Sequence, residues 1–428
     1  MAELKGIEYL RRKMESKRSR TQLRYRYYEM KSAAPDPGPM IPLQLRNQYN
    51  STLGWCETAV DALADRLVFD KFTNDNFDLN HIFDMNNPDT FFDSAVLSSL
   101  ITSCCFVYIS ADETGFPRLQ VIDGGNATGE IDPITGLLYE GYAVLKRNSD
   151  TQRAEIEAYF TPDYTQIYDK TNNTVQNIKN DTGYPLLVPI IYRPDAKRPF
   201  GHSRISRACM NIQNKARHCL TRADISAEFY SFPQKYVVGM SQNAEPMDSW
   251  RATISAMLTF TKDEDGDKPA PGQFAQQSME PHLSHYKSYV ASFAGETGLT
   301  MDDLGFATEN PSSAEAIKAS HENLRLKARK AQRNFGSGFL NVGFLAACLR
   351  DKYPYQRRQL YLSKPTWEPI FEPDASQMSG IGDAAVKINQ AIPGYFGAEN
   401  MHTLTGIKGE NDETGYGTGT SGQDTKNI

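Results

Sequence analysis

Asn310-Pro311-Ser312-Ser313-Ala314-Glu315-Ala316-Ile317 opens a stretch that continues to Leu349 with apolar residues at helical spacing. Ser312 is placed to cap a helix, Glu315 three residues on can return a hydrogen bond to the cap, and Pro311 stands just ahead. Ile317, Leu324, Ala328, Ala331, Phe335, Phe339, Val342 and Leu345 follow at steps of three and four and form one stripe. The spacing predicts a single helix over 312–350, roughly 55 Å long at the usual rise. A rod of that length is expected to build an elongated subunit.

Two shorter helices are expected upstream. Ile205, Ala208, Cys209, Ile212, Ala216, Cys219, Leu220, Ala223 and Ala227 form one stripe, which ends near Pro233. Leu283, Tyr286, Val290 and Phe293 form the other, with Pro281 suited to its first turn. Between them a strand at 234–240, a helix at 246–257 and an acidic hairpin around Asp263, Asp265 and Asp267 predict a small α/β insert. Residues 295–311 form a loop before the long helix, and its middle is both acidic and apolar: Met301, Asp302, Asp303, Leu304 and Phe306.

Nearer the N-terminus, a stripe over 50–72 (Trp55, Ala59, Val60, Leu63, Ala64, Leu67, Val68) predicts another helix. It follows a Pro/Gly-rich linker at 34–42 that sets off a basic arm. Short strands are expected at 106–110, 119–122, 130–131, 137–147, 155–160 and 166–169, punctuated by turns such as Asp132-Pro133-Ile134-Thr135-Gly136. After the long helix come a strand at 366–371, helices at 379–391 and 398–404, and a Gly/Thr/Asp-rich tail expected to be disordered.

Composition is that of an ordinary folded protein: 428 residues, 39% hydrophobic, 23% charged, net charge −6. The most apolar stretch, 91–109, is interrupted by Asp93 and several serines, so no membrane span is expected. The N-terminus lacks the apolar core of a secretory signal, which predicts a protein made in a cytoplasm. Cys56, Cys104, Cys105, Cys209, Cys219 and Cys348 have no framework spacing and read as reduced, buried thiols. Lys5, Arg11, Arg12, Lys13, Lys17, Arg18, Arg20, Arg24, Arg26 and Lys31 make the arm basic. It reads as a solvated helix or an arm pairing with acidic surface of a neighbouring copy, with phosphate contact the alternative.

No catalytic constellation emerges. Gly417, Gly419 and Gly422 match the dinucleotide fingerprint only formally, since they lie in the tail with no strand before or helix after. There is no P-loop lysine motif and no Gly-x-Ser-x-Gly elbow. Asp263, Asp265 and Asp267 lack the glycine and glutamate positions of an EF-hand loop. His282 and His285, and His218 beside Cys219, have no nearby partners for zinc. No catalytic residue, cofactor or metal is assigned. Lys318, Arg325, Lys327, Arg329, Lys330 and Arg333 spread around the long helix and read as subunit contacts and solvated surface, with Lys318, Lys327 and Lys330 as weak phosphate contacts.

Several passages then matter together. Pro199-Phe200-Gly201-His202-Ser203-Arg204-Ile205-Ser206-Arg207 leads into the first of the paired helices. Ser226-Ala227-Glu228-Phe229-Tyr230-Ser231 and Pro233-Gln234-Lys235-Tyr236 pass into the insert, Asn310 to Ile317 open the long helix, and Trp367 and Asp383-Ala384-Ala385-Val386-Lys387 follow. In that order, over residues 45–405, the chain resembles the portal proteins of tailed bacteriophages, of the long-tailed siphophage type.

The resemblance implies an α+β, portal-like, elongated subunit with a β-rich wing, two stem helices bracketing a small α/β clip, and a very long wing helix. Its parts would be arm and linker 1–44, wing 45–201, stem helices 202–232 and 280–297, clip 233–279, tunnel loop 298–311, long wing helix 312–350, a C-terminal wing with a reduced crown 351–408, and the tail 409–428. It further implies a homo-oligomeric ring of about twelve copies in the virion, at one capsid vertex, assembled in the host cytoplasm. Its partners would be the terminase large subunit, the major capsid or scaffolding protein, a head-completion adaptor, and double-stranded DNA passing through. Met301, Asp302, Asp303, Leu304 and Phe306 would line the tunnel, with Met301, Leu304 and Phe306 packing between neighbouring loops, and Asp263, Asp265 and Asp267 would face the docked motor. A ring charge of about −72 disfavours adhesion to DNA. The alternatives are another head or connector protein, or a metal-dependent nucleic-acid enzyme using Asp123, Glu130 and Asp132.

Overall fold

The computed structural model describes residues 4–33, 36, 49–231, 235–238, 270–273, 278–306, 314–371, 373 and 375–407. Helix and sheet are mixed. In chain order come α1 (Ile7–Tyr28), α2 (Trp55–Ala64), β1 (Phe69–Thr73), α3 (Leu79–Asp84), α4 (Pro88–Thr102), β2 (Cys104–Ala111), β3 (Pro117–Asp123), β4 (Ala127–Ile131), β5 (Leu138–Arg147), β6 (Ala154–Phe160), β7 (Tyr164–Asp169), β8 (Thr174–Lys179) and β9 (Leu187–Ile191). Then follow α5 (Arg207–Ser231), β10 (Lys235–Val238), β11 (Ala270–Gln273), α6 (Glu280–Thr297), α7 (Ala314–Ser320), α8 (Glu322–Asp351), β12 (Lys364–Trp367), α9 (Ala375–Ala391) and α10 (Ala398–Thr405). The chain divides into two units, one of residues 1–22, 60–204 and 322–428, the other of residues 23–59 and 205–321.

In the first unit β2 is the middle strand of an antiparallel sheet ordered β3-β2-β9, and its residues from Cys104 to Ile109 are buried without alternation. Such a run marks a strand covered on both faces. α4 and α8 supply cover. Ser99 on α4 donates to the Ile190 carbonyl at 3.0 Å, and on α8 a Cβ placed at Gly338 would meet Ile190 at 2.9 Å and one at Gly336 would meet Pro365 at 2.5 Å. The glycines therefore let the helix backbone approach β9 and β12 closely. From Phe335 to Cys348 that helix is buried at every position but Ser337. Beside it Phe339 meets Phe92 at 4.8 Å, and Phe69 stacks on Phe92 at 4.1 Å and meets Trp367 edge-on at 5.4 Å. These rings are the centre of the core.

β4 to β8 form a five-stranded antiparallel meander in sequence order. α1 lies on it, with Leu10 and Met14 buried among Tyr142, Val144 and Tyr159. The arm is therefore not set apart from the body, and its charges meet carboxylates of its own chain. Glu140 accepts from the Lys5 and Gly6 amides at 2.8 and 3.1 Å, at the positive end of the helix. Lys5 and Lys13 pair with Glu130, and Arg11 and Lys170 with Glu157. Burial alone would raise Glu157, yet the bonds from Lys170 and Arg11 hold it below the ordinary glutamate value.

Two expected helices differ. Residues 50–72 hold α2 and then β1, because Phe69 pairs with Trp367 across the β1–β12 ribbon instead of extending the helical stripe. The long helix is interrupted at His321, where the two units also divide. Ser320 Oγ donates to the Ile317 carbonyl at 2.6 Å, and the His321 amide reaches the same oxygen only at 3.3 Å. A hydroxyl competing for a helix carbonyl weakens the ladder there. The cap at Ser312 lies outside the described residues. All six cysteines are buried and outside any disulfide, and burial pushes Cys105 up to about 12 and Cys348 to about 11, which makes these two inert thiols.

Candidate functional site: an antiparallel helix pair and the turn that follows it

α5 and α6 run antiparallel in the second unit. Ser206, just before α5, donates to Glu296 near the end of α6 at 3.0 Å, and the Cys219 thiol further along faces the His282 carbonyl at 3.6 Å. At the usual rise the helices are about 37 and 27 Å long. Pro281 in the first turn starts α6, and Gly298 at φ +76° stops it, its amide bonded to Ala294 at 2.7 Å. Val290 and Phe293 are buried, and Trp55 sits against Tyr286 and Phe293 at 5.6 and 5.3 Å. Ser284, Ser288, Ala291, Ser292 and Gly295 remain exposed on α6, a face of small side chains flanked by the exposed His285, Lys287 and Glu296.

The buried face of α5 is only partly the apolar stripe the sequence suggests. Ala208 is exposed and Ile212 half-buried, whereas Gln213 and Arg217 are almost fully buried. Gln213 accepts from the Cys56 amide and donates to the Leu53 carbonyl, both at 2.8 Å. Arg217 donates to the Ser51 carbonyl at 2.8 Å, to Ser32 Oγ at 2.9 Å and to the Ala33 carbonyl at 3.2 Å, and Asn214 donates to Tyr27 Oη at 2.6 Å. These side chains hold residues 27–33 and 50–56 against the helix. Burial lowers the Arg217 pKa. The signal in the sequence is the polar i, i+4 pair at 213 and 217, facing inward where a stripe would be broken.

After α6 the chain makes a tight turn that holds the predicted loop residues. Asp303 Oδ2 accepts from the Thr300 amide at 2.8 Å while Thr300 Oγ1 accepts from the Asp303 amide at 3.2 Å. A short 3₁₀ turn over Asp302–Leu304 ends at Gly305, at φ +87°. Phe306 reaches back to Tyr286 on α6, with ring centroids 5.7 Å apart. His321 Nδ1 stands 3.7 Å from Asp303. Met301 and Asp302 are exposed, and Asp303 and Leu304 half-buried.

Of the other candidates, Asp263, Asp265 and Asp267 lie outside the described residues, as do the expected helix at 246–257 and the hairpin, and β10 pairs with β11 antiparallel. Lys318 and Lys327 are half-buried and Lys330 exposed. Asp123, Glu130 and Asp132 are engaged separately: Asp123 by the Gly125 amide and Asn126, Glu130 by Lys5 and Lys13, Asp132 by the Ile134 amide and Thr135. They do not gather as the enzyme alternative requires. A cleft of about 640 Å³ in the first unit has Asp132, Asp195 and Arg333 in its lining, and Asp195 is likewise taken up, by the Arg198 amide and His202. Among the described residues no helix is long and apolar enough to cross a membrane.

Most of the chain is matched by a sequence family. The profile described as phage portal protein, SPP1 Gp6-like, matches residues 7–373. The chain belongs to that family of phage portal proteins, which is structural rather than enzymatic. The portal protein of Mycobacterium phage L5 is 22% identical over 337 residues, covering 73% of this chain and 68% of that protein, and the portal protein of Mycobacterium phage D29 matches to the same extent. Among solved structures, the neck of an empty gene transfer agent particle aligns with 12% identity and a TM-score of 0.44, over 88% of this chain and 96% of the other. The neck of the native particle, with C12 symmetry, aligns with 13% identity and a TM-score of 0.40, over 90% and 99%.

Proposed function

We propose that copies of this chain close into a ring at one vertex of a virus head and form the channel through which DNA is packaged by the terminase motor and later ejected. Family membership carries the reading. In it α5 and α6 are the stem, residues 233–279 the clip on which the motor and then the head-completion adaptor dock, and 298–311 the tunnel loop. The sheet-bearing unit is the wing. The small side chains on the exposed face of α6, with Lys287 the one lysine beside them, suit a surface past which a phosphate backbone must slide, since dense lysine or arginine would bind it. A closed ring requires head-to-tail interfaces, so each copy presents two different surfaces to its neighbours.

The role of the protein is mechanical: the motor supplies the work, and the ring supplies conduit and docking surface. Asp263, Asp265 and Asp267 are proposed to contact the motor, and Lys318, Lys327 and Lys330 to make weak phosphate contacts. Removing residues 299–309 should leave rings intact and stop packaging, read as DNA-filled heads in a complementation assay. Normal filling by that variant would remove the loop from the channel.

A further inference from the structure

We propose that Asp70, Glu368 and His402 form a binding site for a divalent transition cation that fastens α10 to the β1–β12 ribbon. The three residues come from distant parts of the chain, and one ligand atom from each lies within 4.8 Å of the others. Between Phe69 and Phe72 the ribbon carries a bulge, so Asp70 and Lys71 share one position opposite Thr366, whose one hydroxyl proton is shared between the Lys71 carbonyl at 2.7 Å and Asp70 Oδ2 at 3.2 Å. A bulge of this kind re-aims a side chain. Here it leaves the Asp70 side chain only 5% exposed.

The second observation is His402. It is 8% exposed, its Nε2 is buried with no hydrogen-bond partner, and its Nδ1 stands 3.8 Å from Asp70 Oδ2, beyond hydrogen-bond reach. A buried ring nitrogen without a partner is costly unless something absent from the protein satisfies it. Glu368 is set by its amide on the Val68 carbonyl at 3.0 Å, and Gly406, at φ +71°, leaves the space its carboxylate uses: a Cβ there would stand 3.4 Å from Glu368 Oε2. One imidazole nitrogen and two carboxylate oxygens suit zinc or manganese. Ligands at zinc bond lengths in a tetrahedral site stand about 3.4 Å apart, so binding would draw the three groups together by up to about 1.4 Å.

The test uses the full-length protein, stripped with EDTA and titrated with ZnCl2 and with MnCl2 by calorimetry, with bound metal counted by mass spectrometry. The expected result is one saturable site per chain for at least one of the two ions and an upward shift in melting temperature. Both should be lost in His402→Gln and in the near-isosteric Glu368→Gln, and kept in the surface double variant His282→Gln/His285→Gln. Absence of saturable uptake by the native chain, uptake that survives both His402→Gln and Glu368→Gln, or loss in the surface variant instead would overturn the site.

Discussion

Around Phe339 the first unit closes aromatic rings on one another, while around Arg217 the second unit closes hydrogen bonds on main-chain carbonyls. Both centres are almost fully buried. The aromatic centre gains area and dispersion and tolerates no loss of volume, and the polar centre gains fixed positions for two chain segments and tolerates no loss of a donor. One unit is therefore built as a solid body. The other is a helix pair latched to the segments beside it, leaving a small-residue face exposed. A channel subunit, as proposed, needs both: a rigid mass to carry ring contacts and a slender pair of helices to pass along the bore.

Phe339→Ala should break the contrast most strongly, at a cost of about 3–5 kcal/mol. Followed through Trp367 emission in a chain whose other tryptophans are phenylalanine, the denaturant midpoint should fall sharply, while Trp55 in the matching single-tryptophan chain moves far less. Arg217→Met should do the reverse at about 2–3 kcal/mol, since several acceptors lose a charged donor. Arg217→Lys should recover little of that, because an ammonium cannot span the same fork.

A smaller effect is expected where α1 meets the meander. Glu157 is held below its ordinary value, so its contribution is fully present above the unfolded glutamate pKa and is lost as pH falls through the lower folded one. Docking of α1, followed by hydrogen exchange at Leu10 and Met14, should thus loosen only below about pH 4.3. Glu157→Gln should cost about 1–3 kcal/mol at neutral pH and flatten that dependence. Smallest in stability is Ser288→Lys on the exposed face of α6, within about 0.5 kcal/mol. Packaging by a ring carrying it should nonetheless slow and grow more salt-dependent, and an unchanged rate would take α6 out of the bore.

Much of the architecture was legible as hydrophobic period. β2, β3, β5, β6 and β7 fall where short strands between turn residues are expected, α5 and α6 where their stripes lie, and α9 and α10 at the helices expected over 379–391 and 398–404. β8 was missed because its residues are all exposed and carry no alternation. β9 was missed because Pro189 stands in its middle, a position open to an edge strand such as this. β1 hid inside an apparent helical stripe, since only pairing with Trp367 distinguishes the two. Docking of the basic arm depended on Glu130, Glu140 and Glu157, which share a surface only once the meander forms. His402, Asp70 and Glu368 likewise converge only through a bulge and a C-terminal helix. Site residues joined by long-range pairing leave no spacing to read.

The most direct measurement is electron microscopy of the purified full-length protein with native mass spectrometry of the same sample. Rings with a central hole and about twelve copies are the result expected of a closed, head-to-tail assembly. A stable monomer at high concentration, with no rings, would contradict the channel.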